Sequence, residues 1–147
     1  MTIAKSIAGL AALAVALTVG MVAEAADVSN AKCPVSGKPA KESAAVDFDG
    51  GKVYMCCNNC PKAFAANKAK FAAKAHHQMV VTGQAKQENC PFSGKPIKAD
   101  QSTEVDGVKV GFCCANCKAK VEKAAADKQL NMIFSDAPFK KAFKVSQ

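Results

Sequence analysis

The sequence predicts an α+β fold of two tandem small units, each a turn, a β-hairpin and an α-helix, and three observations carry that prediction. The chain repeats itself at an offset of 57 residues, an Asp-Gly pair separates apolar alternating runs in both copies, and an Ala/Lys-rich stretch follows each cluster of cysteines. A chain of 147 residues with 50% hydrophobic and 22% charged residues excludes a large multi-domain enzyme and a disordered chain. Its core is thin, with no Trp and 6% aromatics, and units of about 60 residues usually need disulfides or a metal to stay folded. The eight cysteines are therefore expected to explain much of the protein.

Residues 1–25 read as a secretory signal peptide. Lys5 precedes an apolar run from Ile7 to Val22, and Ala23-Glu24-Ala25 fits a small-residue cleavage site. A retained anchor is the competing reading, but 16 apolar-run residues fall short of the roughly 20 that span a bilayer. The mature chain then starts near Ala26 and is periplasmic or secreted, with no membrane association after cleavage. All 20 basic residues are lysine, which argues against nucleic acid as a partner, because base and phosphate recognition favours the forked guanidinium. Scattered lysines on helix faces read as solvated surface.

The domains follow from the repeat: 26–83 forms the first cysteine-rich unit and 84–147 the second, which carries a short C-terminal helix. Cys33-Pro34-Val35-Ser36-Gly37-Lys38-Pro39 returns as Cys90-Pro91-Phe92-Ser93-Gly94-Lys95-Pro96, and Cys56-Cys57-Asn58-Asn59-Cys60 returns as Cys113-Cys114-Ala115-Asn116-Cys117. Ser-Gly-Lys-Pro is turn chemistry. A hairpin follows it. Val46 and Phe48 lead into Asp49-Gly50-Gly51 and out through Val53, Tyr54 and Met55; Val105, Asp106-Gly107, Val108, Val110 and Phe112 do the same in the second copy. Asn58-Asn59 and Pro61 suit a helix start, so a helix is expected over about Lys62 to Ala75, with Phe64 and Phe71 on one face. Its counterpart runs from about Lys118 to Lys128 with Val121 inward. Met79-Val80-Val81 and Met132-Ile133-Phe134 read as short extra strands, Gln84 to Glu88 as the linker, and Pro138 to Phe143 as a helical turn packing Phe139 and Phe143 on the core.

The chemistry lies in the cysteine register. Thiophilic ions need several thiolates converging at about 2.3 Å, and a turn plus a helix start brings such groups together. Cys33 lies on the turn, and Cys56, Cys57 and Cys60 lie at the helix start, where the dipole favours thiolate. Strand, turn and helix with ligands at turn and helix start is the treble-clef arrangement. Cys90, Cys113, Cys114 and Cys117 repeat it, making all eight cysteines candidate metal ligands. Adjacent residues on a strand point to opposite sides, so Cys56 and Cys57 share one ion only if the chain turns between them. With a turn each unit offers four thiolates; without one, three remain, a count suited to copper(I), mercury or an open position.

C-x22-C-x3-C through Cys33, Cys56 and Cys60, and again through Cys90, Cys113 and Cys117, resembles the pattern of the TRASH-type heavy-metal-binding domains and the related YHS domains. The order from a C-P turn through a Gly-centred hairpin to Met55-Cys56, Cys60, Phe64 and Phe71 agrees with that resemblance. The second copy is looser, with Val121 at the Phe position. Many members of the family keep a Cys where Ser36 and Ser93 stand, and hydroxyls are poor ligands for soft metals. The resemblance implies zinc or copper as the bound ion.

Other side chains have two readings. His76-His77 either completes a metal shell or forms a basic helix end. Met55, Met79 and Met132 offer sulfur to copper, but Met in an alternating strand is usually core filler. No triad or paired-carboxylate centre is legible, so an enzyme is not expected. The leading function is an exported metal-binding protein that sequesters, carries or senses a thiophilic ion, with the ion and another envelope protein as partner classes. The alternative is a small structural domain stapled by zinc or disulfides with a protein-binding role. A thiol-disulfide redox protein using Cys57-x-x-Cys60 and Cys114-x-x-Cys117 is the remaining class.

Overall fold

The computed structural model describes residues 26–146; the signal peptide read at 1–25 lies outside the described residues. In chain order the elements are β1 (Lys41–Phe48), β2 (Gly51–Met55), α1 (Cys60–Ala66), α2 (Lys68–Val81), β3 (Ala85–Gln87), β4 (Lys98–Val105), β5 (Val108–Phe112), α3 (Ala115–Glu122), α4 (Ala126–Phe134), α5 (Asp136–Ala142) and β6 (Phe143–Val145). The α+β class holds. Three antiparallel two-stranded sheets form, pairing β1 with β2, β4 with β5 and β3 with β6.

Both units open on a turn and continue into a hairpin, as the repeat requires. The first turn is closed by Cys33 N–H to Lys38 C=O at 2.7 Å and Gly37 N–H to Cys33 C=O at 2.8 Å; Cys90 and Gly94 make the equivalent pair of bonds, both 2.8 Å. Gly37 sits at φ +74° and Gly94 at +70°, a left-handed conformation that a side chain would strain. In the hairpins Phe48 pairs with Gly51 and Val105 with Val108, which leaves Asp49-Gly50 and Asp106-Gly107 as two-residue loops. All four loop residues have positive φ, the type I′ geometry whose twist matches the strands. A shift of register occurs at the same place in both hairpins, between Lys41 and Ala45 and between Lys98 and Ser102.

The helices depart from the sequence reading. The helix expected over Lys62 to Ala75 is two, broken at Asn67 (φ −142°, ψ 53°), and the one expected over Lys118 to Lys128 is also two, separated by the extended backbone of Ala125 (ψ 151°). Met79-Val80-Val81 and Met132-Ile133-Phe134 are not strands. They form the last turns of α2 and α4, because Ala72, Ala75, His76 and Met79 continue one helical stripe into the core and a three-residue apolar run carries no period of its own. Gly83 N–H bonds back to Val80 C=O at 3.1 Å and ends α2. The linker is structured: Ala85–Gln87 pairs as β3 with β6, so Phe143 enters a strand rather than the helical turn.

A single apolar cluster runs through both units. It joins Val53, Met55, Phe64 and Met79 of the first to Val110, Phe112, Val121, Ile133, Phe134 and Phe139 of the second. Helix α2 is the common element, packed on β2, β3, β5, α1, α4 and α5. Two histidines on it grip the second unit. His76 is fully buried, with Nδ1 2.8 Å from Phe134 C=O, Nε2 2.9 Å from Asp49 Oδ2 and the ring stacked 3.9 Å from that of Phe139. His77 Nε2–H donates to Asp106 C=O at 3.0 Å. Among the described residues no helix is long and apolar enough to cross a membrane.

Candidate metal centre

The turn, the end of the second hairpin strand and the start of the following helix meet at one point in each unit. In the first, the sulfurs of Cys33, Cys56 and Cys60 lie within 4.8 Å of one another; in the second, those of Cys90, Cys113 and Cys117 do. Cys56 and Cys60 are 3.5 Å apart and Cys113 and Cys117 are 3.9 Å apart. Two thiolates bound to one tetrahedral ion at about 2.3 Å stand roughly 3.8 Å from each other, so the spacing is compatible with ligands around an ion. All eight cysteines are free thiols, with Cys33 and Cys90 buried, at 1% and 0% exposure.

Cys57 and Cys114 stand outside the two mutual groups. The backbone bends at Cys56-Cys57 and at Cys113-Cys114, so the chain does turn, but Cys57 is exposed and its close sulfur neighbour is Cys60, at 3.4 Å. Cys114 is the residue before α3 and lies 3.8 Å from Cys113. Three cysteine sulfurs per unit thus converge, and the fourth cysteine flanks them.

The serines that replace a possible ligand have a different part. Ser36 Oγ lies 3.1 Å from Cys56 Sγ, and Ser93 Oγ donates to Cys113 Sγ at 3.1 Å. Burial alone would raise the Cys33 thiol, but the Ser36 hydroxyl and the N–H groups of Ser36, Cys56 and Val35 outweigh it and hold it down at about 7. Cys90 is held at about 6 in the same way, burial being outweighed first by the N–H groups of Ser93 and Cys113. The opposite holds at the helix start in each site. Burial and the neighbouring thiols push Cys60 and Cys117 up to about 12. The N–H of Asn59 and the Cys60 thiol lower Cys57 to about 7, and the N–H of Cys117 lowers Cys114. Each metal-free cluster therefore combines a thiol that ionises readily with one that keeps its proton.

Two glutamines brace these clusters, and the sequence reading missed both. Gln78, on α2 and 1% exposed, donates from Nε2 to Lys32 C=O at 2.9 Å and Tyr54 C=O at 2.7 Å, and accepts from Tyr54 N–H at 2.7 Å. It clamps the residue before Cys33 to the strand that leads into Cys56. Gln87, on β3, donates to Asn89 C=O at 2.9 Å and Gly111 C=O at 2.8 Å and accepts from Gly111 N–H at 2.8 Å. Asn89 and Gly111 are the repeat equivalents of Lys32 and Tyr54, yet the glutamines are nine residues apart and on different elements. The repeat offset contains no signal for them.

The remaining candidates are placed elsewhere. His76 and His77 lie within α2 rather than at a helix end: His76 Nδ1 and His77 Nε2 face the second unit, and His76 Nε2 faces Asp49 of the first. Burial holds His77 below its usual range, consistent with a neutral ring donating through Nε2. Asp49, His76 and Asp136 form a third close group, but both nitrogens of His76 already have partners, so this group acts as a tie between the units. Met79 is buried in the core cluster and Met132 packs against it. Met55 is also in the core, with its sulfur 3.9 Å from Cys33 Sγ.

Comparison with protein-family models, with curated proteins and with solved structures returns no match.

Proposed function

We propose that this is an exported metal-binding protein of the TRASH/YHS type, which holds two thiophilic ions, zinc, copper or another heavy metal, for sequestration, trafficking or sensing. The observation that carries the reading is the convergence of Cys33, Cys56 and Cys60, and of Cys90, Cys113 and Cys117, each within 4.8 Å. Thiolate sulfur selects soft and borderline ions over magnesium or calcium, and three of them around one point leave room for exchange with an incoming ligand. The C-P turn, Gly-centred hairpin and C-x3-C register support the family, and the apolar run ending in Ala23-Glu24-Ala25 supports export. The role is binding and not catalysis.

One observation favours the structural alternative, in which the ion is a staple. Cys33 and Cys90 belong to the apolar core, so an ion there would join turn to helix start inside a small fold. X-ray absorption on the zinc- or copper(I)-loaded protein tests the coordination, with about three sulfurs at about 2.3 Å and one lighter ligand expected for zinc. Circular dichroism of the metal-free chain separates the readings: retained hairpins and helices fit a carrier, and unfolding fits a staple.

A further inference from the structure

We propose that Cys57 and Cys60 are a disulfide-forming pair through which a small-molecule disulfide expels the ion held by Cys33, Cys56 and Cys60. The proposal rests on the metal-binding reading and adds a redox modification site to it. Cys60 is the fork. Its sulfur lies 3.5 Å from Cys56, a fellow member of the convergent group, and 3.4 Å from Cys57, which is outside that group. Cys57 is exposed and reachable by an oxidant, whereas Cys60 is buried. The two are three residues apart in a turn closed by Cys60 N–H to Cys57 C=O at 3.2 Å, so the sulfurs need to close by only about 1.4 Å to reach a disulfide bond length.

The steps balance without any further reagent. The Cys57 sulfur, as thiolate, attacks one sulfur of the small-molecule disulfide; a mixed disulfide forms and one thiolate leaves. The Cys60 sulfur breaks from the ion and attacks the Cys57 sulfur, forming the Cys57–Cys60 bond and releasing the second thiolate. Two electrons pass from the protein to the small molecule. The proton of Cys57 ends on one of the released thiols, and the other thiolate takes a proton from water or binds the departing ion. Cys33 and Cys56 are left as two thiolates, too few for a closed site.

The second unit is built differently at this point. Cys114 lies on extended backbone (φ −162°, ψ 163°) just before α3; its thiol also interacts with that of Cys117, but the well-aligned sulfur contacts run through Cys113, at 3.8 Å to Cys114 and 3.9 Å to Cys117. Oxidation is accordingly faster in the first unit, where the paired sulfurs stand 3.4 Å apart.

The test uses the chain from residue 26 onward, loaded with zinc under anaerobic conditions, treated with oxidised glutathione and followed with a chromogenic chelator and peptide mapping. Release of one of two ions is expected, with a Cys57–Cys60 disulfide and recovery of binding on adding dithiothreitol. Cys57→Ser should bind two ions and release the first at least tenfold more slowly. Release from Cys57→Ser as fast as from the parent, or a Cys56–Cys60 disulfide in its place, overturns the switch. A reduced chain that takes up no zinc before the oxidant is added overturns the metal-binding reading itself, and the switch with it.

Discussion

The sulfur of Cys56 stands 3.5 Å from that of Cys60, one at the end of a β-strand and the other on the first residue of a helix. Cys33 reaches the same point from a turn 23 residues earlier, and 57 residues further on Cys90, Cys113 and Cys117 repeat the arrangement. A strand end, a helix start and a glycine turn, each fixed by backbone hydrogen bonds, bring these cysteines together.

Each site should fail alone. Cys60→Ser is expected to reduce bound zinc from two ions to one, and Cys117→Ser to do the same at the other site, with the surviving site within about threefold of its parent affinity, as for independent groups. Metal titration of the two variants checks this, and circular dichroism confirms that the fold persists.

The bracing glutamines should matter without touching the ion. Gln78→Leu leaves the carbonyls of Lys32 and Tyr54 unpaired and frees the Cys33 turn from the Cys56 strand. Affinity at the first site is expected to fall about 10- to 100-fold, the range seen when groups that orient metal ligands are removed, and Gln87→Leu should act in the same way on the second site alone. Competition with a chelator of known affinity measures both.

Affinity should rise with pH, because an ion displaces protons from thiols. Cys60 and Cys117, both pushed up to about 12, carry protons at neutral pH that the ion must displace, and each of them contributes roughly tenfold per unit to the slope at its site. Cys33, at about 7, adds a second proton below that pH, whereas Cys90, at about 6, does so a unit lower. Between pH 7 and pH 6 the first site is therefore expected to lose affinity more steeply than the second. Zinc competition at several pH values in the Cys117→Ser and Cys60→Ser chains reads the two sites separately.

The tie between the units has its own test. His76→Ala removes a fully buried ring that is hydrogen-bonded at both nitrogens and stacked on Phe139. A loss of about 3 kcal/mol is expected from the cavity and the unpaired Phe134 carbonyl, measured by urea unfolding of the metal-free chain.

Much of the site was legible in the sequence because it is written twice. The 57-residue offset matched cysteine to cysteine and turn glycine to turn glycine, and Asp49-Gly50 and Asp106-Gly107 announced both hairpins through backbone chemistry that few other pairs satisfy. What pairs with a distant part of the chain was not legible. Met79-Val80-Val81 has the composition of a strand, and only the packing of α2 on α4 makes it helical. Ala85–Gln87 is a strand because β6 lies beside it, and nothing in three polar-flanked residues announces that partner. Gln78 and Gln87 perform one task from unrelated positions, so neither the repeat nor any local pattern marks them.

The most direct measurement is a count of bound metal beside free thiols on the chain from residue 26 onward, purified reduced and supplied with zinc. The structure predicts two ions per chain, six thiols protected by metal and two, Cys57 and Cys114, open to a thiol reagent. No bound metal, with eight reactive thiols or with the cysteines already paired as disulfides, would contradict the account.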